Sequence, residues 1–270
     1  MKGIIGAIAG DVIGSAYEFN PTRDYNFELF TPKSTFTDDT VLTMANARWL
    51  LEDDTHSPER LVEIMLDMCR KYPDRGYGGR FARWIHDGNP QPYNSFGNGS
   101  AMRVSPVGYY AQTLEEALAL AQISAEVTHD HPEGIKGAQA TVAAIFLARQ
   151  GKNKSEIRDY VKETFGYDLD RTLEDIRPTF TFDETCQRTV PEAITCYMEG
   201  TDYEDVVRLA VSLAGDADTL AAIAGSIASA TEEVPNEITQ PVIVRLSEEL
   251  CTLLLRFNEL VAKREAETAL

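Results

Sequence analysis

The sequence predicts an all-α fold, a single compact multi-helix domain covering residues 1–270. Three observations support this prediction: apolar residues recur at helical spacing, alternating β-strand patterns are scarce, and no repeat or long linker interrupts the chain. Such a pattern indicates helices that pack on other helices around one core. With 270 residues, of which 43% are hydrophobic and 25% charged, the chain has the length and composition for a large core.

The first predicted helix is the apolar N-terminal segment "MKGIIGAIAGDVIGSAYEF". Asp11 interrupts this segment and no cleavage site is obvious, so a buried helix is favoured over a signal peptide or a membrane span. Gly6, Gly10 and Gly14 lie four residues apart on one face, and 221–230 is almost entirely small residues. Because glycine inside a helix costs about 1 kcal/mol relative to alanine, these segments predict two helices packed closely at the centre.

Further helices follow from helix-start signals and apolar spacing. Ser57-Pro58 supplies a cap and a first turn ahead of a regular apolar pattern over 61–68. The segment "RPTFTFDE" is the one short piece with extended character. The other predicted helices are 114–121 behind a Thr113-x-x-Glu116 capping box, 206–213 behind Thr201-x-x-Glu204, and segments near 132–150, 155–164, 190–199, 219–230 and 240–262.

The charge balance limits the partners that the protein can bind. With 25 basic and 43 acidic residues, the formal net charge is −18. Such a surface repels phosphate backbones, which excludes bulk electrostatic binding to nucleic acid. Any anionic ligand must therefore be held locally, by backbone N–H groups, a helix N-terminus or bound cations. The four cysteines are widely spread without a CxxC pair, so reduced thiols and a cytoplasmic location are expected.

Two clusters of acids and hydroxyls precede predicted helices. The first lies in "STFTDDTVLTMA", residues 34–45, and the second in "AGDADTLAAIAG", residues 214–225. Each cluster suits a helix N-terminus, where such side chains accept hydrogen bonds from free N–H groups. Together they would also form an all-oxygen ligand set for Mg²⁺, Mn²⁺ or Ca²⁺. Spacing alone does not decide between capping and metal binding, because 177 residues separate Asp39 from Asp216.

Geometry restricts how the second cluster can act. Residues two apart in a helix point about 200° apart, whereas in extended backbone they face the same side. Asp216 and Asp218 are therefore expected to converge only if the helix begins at or after Asp218. If all these carboxylates do meet, their mutual repulsion calls for a cation.

Two further motifs have ordinary structural explanations as well as functional ones. In "NSFGNGSAMRVSP", the glycines at 97 and 99 allow a close backbone approach to a ligand, although an ordinary turn is the simpler reading. Arg103 in this motif suits a phosphate contact and a structural ion pair equally. The His129 and His131 pair in "VTHDHPEG" lacks further ligands for zinc, and Pro132 makes His131 a helix boundary residue.

Five stretches in order, "GAIAGDVIGSAYEF", "TFTDDTVLTMA", "NSFGNGSAMRVSPVG", "THDHPEGIKGAQA" and "GDADTLAAIAGSIA", resemble the ADP-ribosylglycohydrolase family, which includes dinitrogenase reductase-activating glycohydrolase. They extend from residue 6 to residue 228. The resemblance implies an all-α fold with two divalent cations, Mg²⁺ or Mn²⁺, at the base of a cleft for ADP-ribose. Ala214-Gly215 departs from the Gly-Gly pair of many relatives, but the ligand residues are unchanged.

The resemblance also assigns roles to particular residues. The implied metal ligands are Thr37, Asp38, Asp39, Asp216, Asp218 and Thr219. The implied catalytic residues are Glu18 and Asp39, and the implied substrate contacts are Asn98, Gly99, Ser100, Met102 and His129.

The implied reaction is hydrolysis of the glycosidic bond between ADP-ribose and a modified acceptor, which reverses ADP-ribosylation. The acceptor stays open among arginine, serine and a small guanidine adduct, so the expected partners are an ADP-ribosylated protein or small molecule and the ADP-ribose product. Neither nucleic acid nor a membrane is an expected partner. The alternatives are a non-catalytic ADP-ribose-binding module, a metal-dependent phosphoesterase that cleaves the pyrophosphate, and a purely structural helical protein.

Overall fold

The structure, a computed structural model, describes residues 1–268 and is all-α. Within these residues the only β pairing is an isolated antiparallel bridge between Gly97 and Thr185. The helices are α1 (Ile5–Gly14), α2 (Asp38–Glu52), α3 (Pro58–Lys71), α4 (Gly79–His86), α5 (Gly99–Met102), α6 (Ser105–Tyr110), α7 (Leu114–Glu126), α8 (Pro132–Arg149), α9 (Lys154–Phe165), α10 (Leu173–Ile176), α11 (Cys186–Glu199), α12 (Tyr203–Val211), α13 (Ala217–Thr231), α14 (Asn236–Ile243) and α15 (Glu248–Thr268).

Most predicted helices are present, with two corrections. The cap of α12 is Asp202, which accepts from the Asp205 N–H at 2.9 Å, and not Thr201. Aspartate is preferred over threonine at an N-cap, and the Thr201 hydroxyl instead donates to the Asp205 carboxylate. The segment 240–262 is two helices, since Ser247 accepts from the Leu250 N–H and begins α15 separately.

The glycine face of α1 packs directly on α13, as the sequence predicts. A Cβ atom on Gly10 would lie 2.1 Å from the Ala221 carbonyl oxygen, and one on Gly14 would lie 2.5 Å from the Asp218 Cα. All ten residues of α1 are buried, which confirms the predicted buried helix. Because the C-terminal end of α1 touches the start of α13, the chain leaving α1 emerges beside the second acid cluster.

The helix ends that matter for function lie on one side of the molecule. The end of α1 and the starts of α2, α4, α5 and α13 all contribute residues to one cleft. Their other ends lead into an extensive apolar core built mainly around α1, α2, α8, α11 and α13. Within residues 1–268, no helix combines the length and apolar character needed to span a membrane.

Candidate active site

The two acid clusters meet in the folded chain. Glu18, Asp216 and Asp218 each present a carboxylate oxygen within 4.8 Å of the others. The first cluster adjoins this group, because the Thr219 hydroxyl donates to Asp39 Oδ2 at 3.3 Å. Asp11 of α1 bonds Thr37 at the start of α2, and α1 packs on α13, so residues 177 apart in the chain meet.

The expected condition for convergence of Asp216 and Asp218 is wrong by one residue. Helix α13 begins at Ala217, before Asp218, and the two carboxylates converge nevertheless. The reason is that Asp216 is the N-cap residue, with φ −73° and ψ 87°, and so lies outside the helix. The 200° separation of two helical residues does not apply across a cap.

Capping of α2 by the first cluster is confirmed. Thr37 has extended backbone, and its hydroxyl oxygen accepts from the Asp39 N–H at 3.3 Å. The same hydroxyl donates to Asp11 Oδ1 at 2.7 Å. Capping and a metal-ligand role are compatible here, because Asp39 Oδ1 is buried without a hydrogen-bond partner among residues 1–268 and Asp38 faces the cleft.

Asp11 is a residue of this site that the motif analysis did not assign. Its Oδ2 accepts from the backbone N–H groups of Thr37 and Thr40, at 3.0 and 3.1 Å, and from the Thr40 hydroxyl. Burial raises the pKa of Asp11 to about 6, although the hydrogen bonds from both threonines oppose the shift. The available signal was an acid inside an otherwise apolar helix. Asp11 fixes the turn that carries Thr37, Asp38 and Asp39.

Replacing Asp11 by asparagine is expected to weaken Mn²⁺ binding about 10- to 100-fold, the usual cost of losing an outer partner of a metal ligand. In the wild-type protein the Thr37 hydroxyl donates to Asp11 Oδ1. An asparagine amide there would itself donate, so the Thr37 hydroxyl would have to accept through a lone pair instead. Calorimetric titration of the metal-free protein with Mn²⁺ measures this without turnover. Thr40→Val is the control, since it removes one hydroxyl from Asp11 but leaves the Thr37 pair intact. Equal losses of Mn²⁺ affinity in the two variants would contradict the role of Asp11 in fixing the turn that carries Thr37.

The electrostatics of the cluster favour a cation. Burial, then the charge of Asp218, raises the pKa of both Asp38 and Asp39 well above its ordinary value. Burial likewise raises the pKa of Asp218, and it raises the pKa of Asp216 to about 6 and that of Glu18 to about 8. Within residues 1–268, no lysine or arginine forms a salt bridge with these carboxylates. Crowded carboxylates without a basic partner, one with an orphaned oxygen, fit hard divalent cations.

Most of the predicted ligand contacts line the same cleft. Asn98, Gly99, Met102 and His129 line it together with the acids, whereas Ser100 and Thr37 lie behind its wall. The Ser100 hydroxyl donates to the Gly134 carbonyl at 2.7 Å. The roles predicted for all these residues toward metal or substrate stay predictions.

Asn98 joins the glycine loop to the acid cluster. Its Nδ2 donates to Asp216 Oδ2 at 2.7 Å and to the Thr189 hydroxyl at 3.0 Å. Gly99 begins α5 and packs closely on a histidine, since a Cβ there would lie 3.1 Å from His129 Nε2. The glycine thus lets the loop lie against the cleft floor.

Within residues 1–268 Arg103 forms no salt bridge, so the structural ion pair suggested for it is not found there. The side chain is fully buried, and its Nη2 donates to the Ser124 carbonyl at 2.5 Å and to the Thr128 hydroxyl at 2.8 Å. Its Nε and Nη1 are buried without partners. His131 is the N-cap of α8, as predicted, and its Nδ1 accepts from the Glu133 N–H.

Several cleft residues had no motif to mark them. Gly78, Gly79 and Arg80 at the start of α4 line the cleft, as do Tyr93 and Glu184. The glycine-rich stretch "GYGGR" was the available signal, and a Cβ on Gly78 or Gly79 would meet open space.

The aromatic residues of the same region divide among the cleft, the core and the surface. Tyr93 lines the cleft, 5.9 Å from His129 between ring centroids. Trp84 instead stacks on Phe81 and is almost fully buried, and Phe96 lies outside the cleft against His131. Only the tertiary packing separates these roles.

The all-α fold and the carboxylate-rich cleft define a class of protein, an all-helical protein with a cleft suited to divalent cations. The family model described as ADP-ribosylglycohydrolase matches residues 1–267, and the chain belongs to this family. The family and the fold class that the five motifs predict are thereby confirmed.

Named relatives agree with this assignment. The chain is 26% identical to ADP-ribosylhydrolase ARH3 of Homo sapiens, covering 88% of this chain and 87% of the relative. It is 23% identical to ADP-ribosylarginine hydrolase Tri1 of Pseudomonas putida (strain GB-1), covering 96% and 79%. A solved structure described as an ADP-ribosylglycohydrolase-related protein complex aligns with a TM-score of 0.74 and 25% identity, covering 96% of each chain.

Proposed function

We propose that this protein hydrolyses the glycosidic bond between ADP-ribose and a modified acceptor and so reverses ADP-ribosylation. The observation that carries the proposal is the meeting of Glu18, Asp216 and Asp218 within 4.8 Å in a cleft also lined by the glycine loop. The loop suits the diphosphate of the ligand, and the carboxylates lie where a ribose would be held by cations.

The proposed cofactors are two divalent cations, Mg²⁺ or Mn²⁺. Their ligands would be Thr37, Asp38, Asp39, Asp216, Asp218 and Thr219. The orphaned Asp39 Oδ1 and the raised pKa values of the carboxyls support this set. When bound, such cations supply Lewis-acid charge that orients a sugar and activates water.

The remaining residues of the cleft bind and orient the ligand in this proposal. Asn98 holds Asp216 through its Nδ2, and Gly99 lets the backbone approach the diphosphate. Met102 and His129 line the ligand side of the cleft, while Ser100 fixes the loop from behind through Gly134. In the proposed complex, the anomeric carbon of the ribose faces the acids.

Glu18 is the proposed proton carrier, and Asp39 is the proposed second catalytic acid. Burial and the charge of Asp218 raise the pKa of Glu18 to about 8, which is close to neutral pH. Bound cations would offset the charge of Asp218, whereas the burial that also favours a protonated Glu18 would remain, so its carboxyl could exchange a proton with the leaving atom of the acceptor or with attacking water. Glu18 is also only partly buried, so substrate can reach it.

A cytoplasmic setting is part of the proposal, and all four cysteines are free in the structure. The rival from another class is an ADP-ribose-binding module without turnover. The complete set of proposed ligands argues for turnover. The acceptor is taken to be arginine, serine or a small guanidine adduct, and one named relative is an ADP-ribosylarginine hydrolase.

The proposal is tested by incubating the protein and Mg²⁺ or Mn²⁺ with arginine-linked and serine-linked ADP-ribosyl peptides. Mass spectrometry should find free ADP-ribose and the unmodified peptide from at least one of them. AMP with ribose phosphate would instead indicate a phosphoesterase. Tight ADP-ribose binding without release from any peptide would favour the binding module.

A further inference from the structure

The two ring nitrogens of His129 have different surroundings. Nδ1 lies 2.7 Å from the Thr128 hydroxyl oxygen. Nε2 makes no hydrogen bond within residues 1–268, and it lies 3.1 Å from where a Cβ on Gly99 would be, at the cleft wall. A neutral imidazole has one donor and one acceptor nitrogen, so the bond at Nδ1 decides what Nε2 offers to the cleft.

Arg103 fixes the direction of the bond at Nδ1. Its Nη2 donates to the Thr128 hydroxyl oxygen at 2.8 Å, and a guanidinium has no acceptor atom. Thr128 is fully buried, and within the described residues its hydroxyl contacts only Arg103 and His129. The hydroxyl proton therefore has one acceptor in reach, which is His129 Nδ1.

The opposite arrangement leaves a buried group unsatisfied. If His129 carried its proton on Nδ1, both this nitrogen and Arg103 would donate to the Thr128 oxygen. The hydroxyl proton would then point into the core without an acceptor, which folded proteins strongly avoid. Counting donors and acceptors thus selects one chain of hydrogen bonds, from Arg103 through Thr128 to His129.

We propose that Arg103 and Thr128 are positioning residues that hold His129 in the neutral tautomer with its proton on Nε2. His129 then presents a fixed N–H donor to an acceptor oxygen of the ligand. The identity of that ligand as ADP-ribose, whose phosphate and ribose oxygens are acceptors, rests on the proposed function, whereas the tautomer does not. Burial and the nearby guanidinium of Arg103 keep the pKa of His129 well below its ordinary value, which supports a neutral ring.

The tautomer is measured directly by nitrogen-15 NMR of histidine-labelled protein without ligand. The chain has four histidines, and the exposed His86 reports the ordinary mixture of tautomers. We expect His129 to show the protonated-nitrogen shift at Nε2 and the bare-nitrogen shift at Nδ1. A proton on Nδ1, or a mixture like that of His86, would overturn the proposal.

Calorimetric measurement of ADP-ribose binding tests whether the ligand accepts a hydrogen bond from the Nε2 N–H of His129. His129→Gln keeps an N–H group near the position of Nε2, whereas His129→Met has similar length and no donor. We expect the methionine variant to bind about 10-fold or more weakly than the glutamine variant, as for a lost hydrogen bond to a charged group. Equal affinities would show that the donor is not used.

The positioning role is tested at Thr128. Thr128→Val should disturb the nitrogen-15 shifts of His129. It should also weaken ADP-ribose binding about 3- to 10-fold, because only the tautomer of His129 with its proton on Nε2 donates to the ligand. Thr128→Ser keeps the hydroxyl and should restore both the His129 shifts and ADP-ribose binding. Neither would recover in the serine variant if the valine variant failed only through altered packing. Unchanged nitrogen-15 shifts of His129 in the valine variant would contradict the proposed chain of hydrogen bonds from Arg103 through Thr128 to His129. A wild-type protein that binds no ADP-ribose would count against the proposed function, and the tautomer would still be decided by its spectrum.

Discussion

Replacing Asp218 by alanine is expected to reduce release of ADP-ribose by about 100-fold or more, beyond the usual cost of losing an outer partner of a metal site. Asp218 belongs to the tightest carboxylate group and faces both Glu18 and Asp216. Asp218 is the only acid in the first turn of α13. The measurement is release of ADP-ribose from the peptide that the wild-type protein cleaves.

The same substitution should leave the fold intact. Asp218 is buried among like charges without a basic partner, so its removal relieves repulsion in the metal-free protein. We expect an equal or higher melting temperature without cations and a much smaller rise when Mn²⁺ is added. Glu237→Ala is the matched control, because Glu237 is an exposed acid in the first turn of α14. Full activity in the Asp218 variant would refute the proposed centre.

Removal of divalent cations is expected to stop turnover, and adding Mg²⁺ or Mn²⁺ back is expected to restore it. The reason is that the proposed ligands repel one another when no cation is present. Turnover is measured after treatment with a chelator and dialysis, with and without each ion. Undiminished turnover in excess chelator would contradict the metal assignment.

The metal-free protein should also lose stability as the pH rises. In the fold, the pKa of Asp216 is raised from 3.8 to about 6 and that of Glu18 from 4.5 to about 8. A carboxyl whose folded pKa is raised stabilises the fold when protonated, and this contribution disappears as the pH rises through the folded values. Between about pH 5 and pH 8 we therefore expect the melting temperature to fall by roughly 5 °C.

Divalent cations should offset the loss of stability at the higher pH. Mn²⁺ at the higher pH should raise the melting temperature, because an ion that binds only the folded state stabilises it. Asp218→Asn should flatten the dependence on pH, since one of the repelling charges is gone. A melting temperature that is independent of both pH and Mn²⁺ would show that the carboxylates are not crowded in solution.

Local features of the fold were predictable from the sequence because they depend on neighbouring residues. Thr37 caps α2, Thr113 caps α7 and Ser57 begins α3, each through a hydrogen bond across two or three residues. Predictions failed where two local solutions competed. At the start of α12, Thr201 and Asp202 both suit a cap, and the aspartate takes it.

The motifs predicted many of the residues that line the cleft, whereas other residues of the cleft and its surroundings carried no motif. Asp11 lies 26 residues before Thr37, and nothing in their spacing says that they are bonded. Arg80, Tyr93 and Glu184 lie in segments without a motif and reach the cleft only through the packing of the helices that they flank.

The sequence by itself determined that the protein is all-α, which acids and glycines stand at helix starts, and which family its motifs resemble. Only the tertiary structure decided that Asp39 and Asp218 belong to one cleft, and that Asp11 and Arg103 hold residues of the site through hydrogen bonds. The physical reason is one of range. Helix formation and capping are settled by residues a few positions apart, whereas the cleft exists because the glycine face of α1 lets its backbone touch α13.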